Sequence, residues 1–543
     1  MKKFKTILAL VLVAALFVTL FAACANNAET PNTDAGKDNT NTNTNTNTNT
    51  NTNTGSNDKE SAGDDEADEP VVESPFDPED PTTVEFYICD TFGKGMDHEE
   101  RLAAAMNEIL EPMGIHLVPH FMQIGQWVGT MQTSIAGGQR IDLMTYCIAN
   151  TLSGLYMNGM AMDIDDVLKE YAPEALELMA PYSGTYAYDG HLYGLPTYRS
   201  YITNGYICFN QDILEEYNLV EQAKAMDSWS DLEAILATMH TGMKGTGMYP
   251  ISGGISTLLY SNTAWLHGDN FSDIEVVDTV GDGLNVVYVD PDGKVSLSVT
   301  RDAYLEAVKL TKDWYDKGYV FPDGIHDSAL SAQNTIAAGG AASEICTSEM
   351  GIESTKTGVY GAPALCVQYY TGLVNTSALT SWGIGIPITC EEPEAAAFVI
   401  NQLYTNADLM RIFGNGIEGE DYTVVDGQAQ MVENMYSFGN YVLGNNTLSL
   451  PLLGSGADFY EKIDAMNKAA EPSPYLGFNL DRAGLDLVIS QITAVNDQYR
   501  TSLQSGGFDE AVYQEFLNKL DSAGIQEYLG AVQEQLDAWV ASK

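Results

Sequence analysis

The chain has 543 residues, 75 of them acidic and 25 basic, for a formal net charge of -50. That charge opposes approach to nucleic acid or any anionic polymer at separations inside the Debye length and leaves neutral or cationic ligands as favoured partners. Setting aside a low-complexity N-terminal segment leaves about 460 residues, too many for one hydrophobic core and enough for two lobes.

Lys2, Lys3 and Lys5 precede an apolar run from Ile7 to Phe21, and Phe21-Ala22-Ala23-Cys24 sets two small residues directly before a cysteine. This resembles a bacterial lipobox and predicts a signal peptide over 1–24 with lipidation at Cys24, although Ala23-Cys24-Ala25 also fits ordinary cleavage. The run falls short of the roughly 20 residues a spanning helix needs. Residues 25–81 read as a disordered tether: Asn39 to Thr54 alternates Asn with Thr and offers nothing apolar to bury. Asp64, Asp65, Glu66, Asp68 and Glu69 then extend it by repulsion. Such a coil averages roughly 40 Å end to end and stretches to about 190 Å, a leash for a domain on the extracellular face of the membrane.

From Val84 the pattern alternates strand and helix. Val84 to Cys89 reads as a strand, Asp97 to Leu110 as a helix capped by Asp97 with Glu100, and Ile115 to Val118 as a second strand, together a βαβ unit. A helix near Trp127 to Ala136, a Gly137-Gly138 stop and a strand at Ile141 to Tyr146 follow. Ser230 and Glu233 suggest a capping box, Thr300 a cap for the helix through Trp314, and Glu391-Glu392-Pro393 a third helix start. Asp290-Pro291-Asp292-Gly293 reads as a hairpin turn between Val286–Val289 and Val295–Leu297, its aspartates too few for a calcium loop. The last forty residues form amphipathic helices.

Cys89, Cys147, Cys208, Cys346, Cys366 and Cys390 lack C-x-x-C spacing, which argues against a zinc ribbon or redox pair. There is no G-x-G-x-x-G, G-K-[ST], G-x-S-x-G or H-E-x-x-H, and His116 with His120 lacks a third zinc ligand. No cofactor or metal is expected.

Several stretches together resemble the family 1 extracellular solute-binding proteins, receptors of ABC importers. Tyr188 to Pro196 is similar to the family's "D-G-K-x-Y-G-x-P" segment, Tyr206 to Asn210 to its strand ending in "Y-N", Trp229 to Leu232 to "T-W-D-E-L", and Trp314 to Tyr319 to "W-Y-x-K-G-Y". Gly416 to Tyr422 and Gly477 to Trp539 are similar to a Firmicutes lipoprotein subgroup carrying a C-terminal domain of uncharacterised function. The resemblance implies an α/β fold of the two-lobed, periplasmic-binding-protein-like (Venus flytrap) type with a ligand cleft between the lobes. The expected layout is lobe 1 from 82–197 plus about 343–385, lobe 2 from about 205–340 plus 389–470, and a C-terminal helical region from 471–543 packed on the lobes.

It further implies a non-enzymatic, monomeric receptor for a small-molecule solute, chiefly a sugar or oligosaccharide, working with ABC permease subunits. A surface glycan-degrading enzyme and a receptor for peptides or polyamines are the alternatives. Sugars need flat apolar faces together with planar polar groups. Trp127, Trp265 and Asp269 on facing lobes, Tyr198, Arg199, Tyr201 and Asn204 in the first crossing, and Trp382 and Tyr475 near later crossings are the candidate ligand contacts. Asp142 and Asn150, near a strand C-terminus, are weaker candidates.

Overall fold

The computed structural model describes residues 74–543 apart from 149, 254–263, 281–283, 285, 291, 327–329, 433–435 and 437. The expected signal peptide, Cys24 and the tether up to residue 73 lie outside the described residues. The end of the expected tether is already seated, because Phe76 packs edge-on against Phe398 at 5.5 Å.

In chain order the principal strands are β1 (Thr82–Asp90), β2 (Ile115–Gln123), β3 (Leu143–Tyr146), β4 (Gly194–Pro196), β5 (Asn204–Asn210), β6 (Val287–Val289), β7 (Val295–Leu297), β8 (Ser343–Ser348), β9 (Ala364–Tyr370) and β10 (Gly383–Gly385). The helices used below are α1 (Glu99–Leu110), α2 (Ile124–Ala136), α3 (Trp229–Gly242), α4 (Asp302–Asp316), α5 (Pro393–Thr405), α6 (Ala407–Asn415), α7 (Phe459–Ala469), α8 (Asp486–Gln504), α9 (Glu510–Ser522) and α10 (Ile525–Ser542).

Lobe 1 is built on a sheet of order β2-β1-β3-β10-β4, parallel among its first three strands and antiparallel at β10. Its core joins Val84, Phe86 and Ile88 of β1 to Phe398, Val399 and Phe413 of α5 and α6. Lobe 2 is built on an antiparallel sheet of order β8-β5-β9, with Ile207 and Phe209 packed against Leu232, Leu236 and Trp314. The expected partition is therefore corrected. Residues 343–370 belong to lobe 2, because β8 and β9 flank β5, whereas α5, α6 and the chain to Leu443 belong to lobe 1. Pairing partners 134 to 165 residues apart decide this, and no local pattern carries it.

The C-terminal helices α8, α9 and α10 form a further core with the β6–β7 hairpin and the start of α4. Polar bonds tie the two: the Val295 N–H donates to Gln533 Oε1 at 2.7 Å, and the Tyr513 hydroxyl to the Val299 carbonyl at 2.9 Å. Three expected caps move. His98 precedes α1 without a side-chain cap bond, Ser228 rather than Ser230 caps α3 by accepting from the Asp231 N–H at 3.2 Å, and Thr300 donates back to the Leu297 carbonyl. Among the described residues no disulfide joins Cys89, Cys147, Cys208, Cys346, Cys366 and Cys390. Among the described residues no helix is long and apolar enough to cross a membrane.

Candidate functional site

The first crossing between the lobes, 197–203, leaves β4 and enters β5. It is stitched in place by backbone bonds: the Thr197 N–H donates to the Trp382 carbonyl and the Tyr198 N–H to the Gly444 carbonyl, each at 2.9 Å. A crossing fixed in this way aims its side chains reproducibly. Arg199 is buried, and its guanidinium donates to the Ser200 carbonyl at 2.9 Å, the Ala378 carbonyl at 2.8 Å and Glu349 Oε1 at 2.7 Å. Glu349 directly follows β8, so this ion pair links the crossing to lobe 2. Burial raises the Glu349 carboxyl above its usual range while Arg199 opposes the rise. The Glu349 side chain keeps 36% of its surface open.

Lobe 1 supplies the facing wall. Asp90, at the end of β1, accepts from the N–H groups of Phe92, Gly93 and Gly95 at 3.1, 2.9 and 2.7 Å, which curls the loop and leaves Phe92 55% exposed. The Tyr441 hydroxyl donates to Thr91 Oγ1 at 3.2 Å, and Trp382 lies edge-on to Tyr441 at 5.3 Å. Asn440 Nδ2 donates to the Tyr460 hydroxyl at 2.9 Å, which joins this wall to the start of α7. Burial first, and the nearby Glu349 carboxylate besides, raise the phenols of Tyr441 and Tyr460. Lobe 2 closes in at Gly351, where a Cβ would stand 2.4 Å from the Phe459 ring and φ is +82°. Only glycine fits there. The neighbourhood thus combines aromatic rings with a guanidinium, a carboxylate and amides, a set suited to a ligand rich in hydroxyls.

Of the residues singled out in the sequence, Arg199 and Trp382 fall in this neighbourhood, and Asn150, buried after β3 with its Nδ2 unpartnered, lies beside the exposed Ile148. Tyr198 borders it and donates to Asp464 Oδ1 at 2.5 Å. Tyr201 is buried and donates to the Thr197 carbonyl at 3.2 Å, while Asn204 accepts from the Gly372 N–H at 3.3 Å, so both brace the crossings. Trp127 is completely buried in the lobe 1 core. Trp265 is 1% exposed in the core shared with the C-terminal helices, where the Arg301 guanidinium sits 4.9 Å from its ring. Neither tryptophan presents the open face that stacking on a ligand requires. Asp269 accepts from the Ser230 N–H at 2.9 Å and so caps α3, and Tyr475 lines a separate pocket near the hinge.

Asp142 is sealed beneath Arg140, with 2.9 Å to its Nε. His116 pairs with Glu111 at 2.8 Å and His120 with Glu85 at 2.6 Å. Among the described residues, Asp163, Asp165 and His191 alone form a cluster close enough to share a metal ion; they are partly to fully exposed and already linked as ion pairs of 2.9 and 3.2 Å. Phe92, Glu349, Tyr441 and Tyr460 were missed by sequence reasoning. Phe92 and Glu349 each directly follow a strand, the one signal available.

The family model for bacterial extracellular solute-binding proteins matches residues 113–418, and a model for a domain of unknown function matches residues 474–541. No curated protein matches the chain. Among solved structures, the chain is similar to an N-glycan transport solute binding protein (NgtS) from Streptococcus pneumoniae, with 19% identity, a TM-score of 0.70, and coverage of 85% of this chain and 99% of that one. It is also similar to the HMO-binding solute binding protein from Bifidobacterium longum infantis, with 13% identity, TM-score 0.57 and coverage of 85% and 99%. The S. pneumoniae substrate binding protein FusA in complex with kestose shares 14% identity, with TM-score 0.55 and coverage of 85% and 100%. At these identities the likeness establishes the two-lobed fold.

Proposed function

The chain belongs to the bacterial extracellular solute-binding protein family, and on that premise we propose that it captures a neutral sugar or oligosaccharide between its lobes and delivers it to an ABC permease. It is held to the outer membrane face by lipid on Cys24 and transforms nothing chemically. The observation that carries this reading is the Arg199–Glu349 pair beside Trp382, Tyr441 and Tyr460, where residues of both lobes and the crossing converge. Structural relatives that serve N-glycan transport, bind HMO or hold kestose support carbohydrate over peptide. The cycle is an open–closed equilibrium in which a ligand touching both walls stabilises the closed state by its differential contacts.

A thermal-shift screen of the full chain against mono- and oligosaccharides, peptides and polyamines, followed by thin-layer chromatography, tests this. An intact stabilising glycan supports the reading, and shortened glycan converts the case to a surface glycosidase. A shift with peptides alone overturns the substrate class. Trp382→Ala together with Glu349→Gln should weaken the stabilising glycan by at least about tenfold, since each contact is worth on the order of 1 kcal/mol. Cys24→Ser should release the chain from membranes; full retention there removes the lipid anchor.

A further inference from the structure

A pocket of about 720 Å³ lies at the hinge. Its lining takes Ile202 from the first crossing, Leu373 from the segment after β9, and Glu471 from the segment after α7, so all three connections between the lobes border it. Its volume falls within the range of small-molecule sites. The pocket is separate from the Arg199 neighbourhood. Helix α7 contributes Tyr460 to that neighbourhood and Met466 and Ala469 to the pocket, which a rise of 1.5 Å per residue sets about 9–14 Å apart.

The lining is chemically one-sided. Among the described residues it includes four carboxylates, Glu275, Asp278, Asp290 and Glu471, and no lysine, arginine or histidine. Glu275 is paired from outside with Arg301 at 2.7 Å and touches His267 at 2.8 Å. Asp278 is 6% exposed, and among the described residues its carboxylate is met by the Ser473 hydroxyl and, at 2.7 Å, the Val280 N–H. Burial raises its pKa, as expected of a carboxylate taken out of water with no cation among its described partners. Between the carboxylates the walls are aliphatic, formed by Ile202, Leu373 and their neighbours, and Tyr475 adds an aromatic ring. An anion would meet repulsion here, and four carboxylates favour a cation over a neutral ligand. A ligand that fits must bring positively charged donors on an apolar stem.

We propose that the hinge pocket is a second binding site, for an aliphatic polyamine whose ammonium groups meet Asp278, Asp290 and Glu471 and whose methylenes lie along the aliphatic walls. Because all three connections border the pocket, occupancy biases the angle between the lobes and thereby tunes capture in the cleft. The inference does not rest on the ligand in the cleft being a carbohydrate.

Titration calorimetry of the full chain with spermidine, at about 0.15 M salt where charges beyond about 8 Å are screened, tests it. One saturable site is expected, weakened at least about tenfold by Asp278→Asn and by Asp290→Asn, as befits loss of a charge-assisted bond. Asp290 is only half-buried, so its variant remains informative if Asp278→Asn folds poorly. The remote surface variant Glu221→Gln should bind as the parent does. Absence of saturable binding, equal loss in Glu221→Gln, or equal binding of the uncharged 1,7-heptanediol overturns the site. A radius of gyration in solution scattering that spermidine leaves unchanged at saturation overturns the hinge role.

Discussion

Asp421 in lobe 1 and Asp278 at the hinge are both buried aspartates, yet they are handled in opposite ways. Asp421 is gripped by Arg101 through two bonds of 2.7 and 2.6 Å and accepts from the N–H groups of Ile417 and Tyr436 at 2.8 and 3.2 Å. Burial opposes its ionisation, but these partners outweigh it and hold the carboxyl below its ordinary value of 3.8. Asp142, sealed beneath Arg140, follows the same rule. Asp278 receives a hydroxyl and an N–H but no guanidinium, and burial prevails. In a chain with three acidic residues for each basic one, arginines are scarce. Arg101 and Arg140 hold carboxylates of the lobe 1 scaffold, whereas Asp278 at the hinge is left for something outside the fold to neutralise.

The contrast can be broken most forcefully at Arg101. Arg101→Met leaves the Asp421 carboxylate inside the fold without its cation and should cost about 3 kcal/mol in urea unfolding, since stranding a buried charge is expensive. A loss below 1 kcal/mol would mean that the two N–H bonds suffice. Arg140→Met should cost less, about 2 kcal/mol, because that ion pair is sequence-local and Asp142 retains the N–H groups of Glu85 and Glu391 at 3.0 and 2.9 Å.

The pH dependence sharpens the comparison. With its folded pKa depressed, Asp421 contributes stability above the ordinary carboxylate range, and that contribution disappears as pH falls through the folded value. With its folded pKa raised, Asp278 binds more protons folded than unfolded. Stability therefore falls as pH rises from about 4 towards that higher value. Unfolding curves across this range should lose the downward slope in Asp278→Asn and keep it in Arg101→Met. The smallest effect is expected at neutral pH, where Asp278→Asn should gain up to about 1 kcal/mol by removing a buried charge while preserving shape. A loss of 2 kcal/mol would show that the ionised form is structurally required.

Local features were the ones legible in the sequence. The Val84–Cys89 strand, the helix through Leu110, and the Asp290–Gly293 turn with the Gly293 N–H donating to the Asp290 carbonyl at 2.8 Å all follow from short-range periodicity and turn chemistry. What depended on distant pairing was not. Trp265 read as a cleft residue because the helices that cover it lie more than 200 positions later, and nothing in its own surroundings announces them. Trp127 read the same way because a Gly-Gln-Trp helix start says where the helix begins but not which face turns inward. Arg199 was legible through its place in the crossing, whereas its partner Glu349 acquires its role only when β8 aligns beside β5.

The core shared by α8, α9 and α10 with the β6–β7 hairpin also has a temporal meaning. A ribosome finishes the hairpin long before it makes the helices that cover Trp265, Val286 and Tyr304, so lobe 2 carries an open apolar wound until the final residues arrive. The tail acts as the closing stitch of lobe 2, and a stop codon near residue 474 should leave protein that clumps or is readily proteolysed.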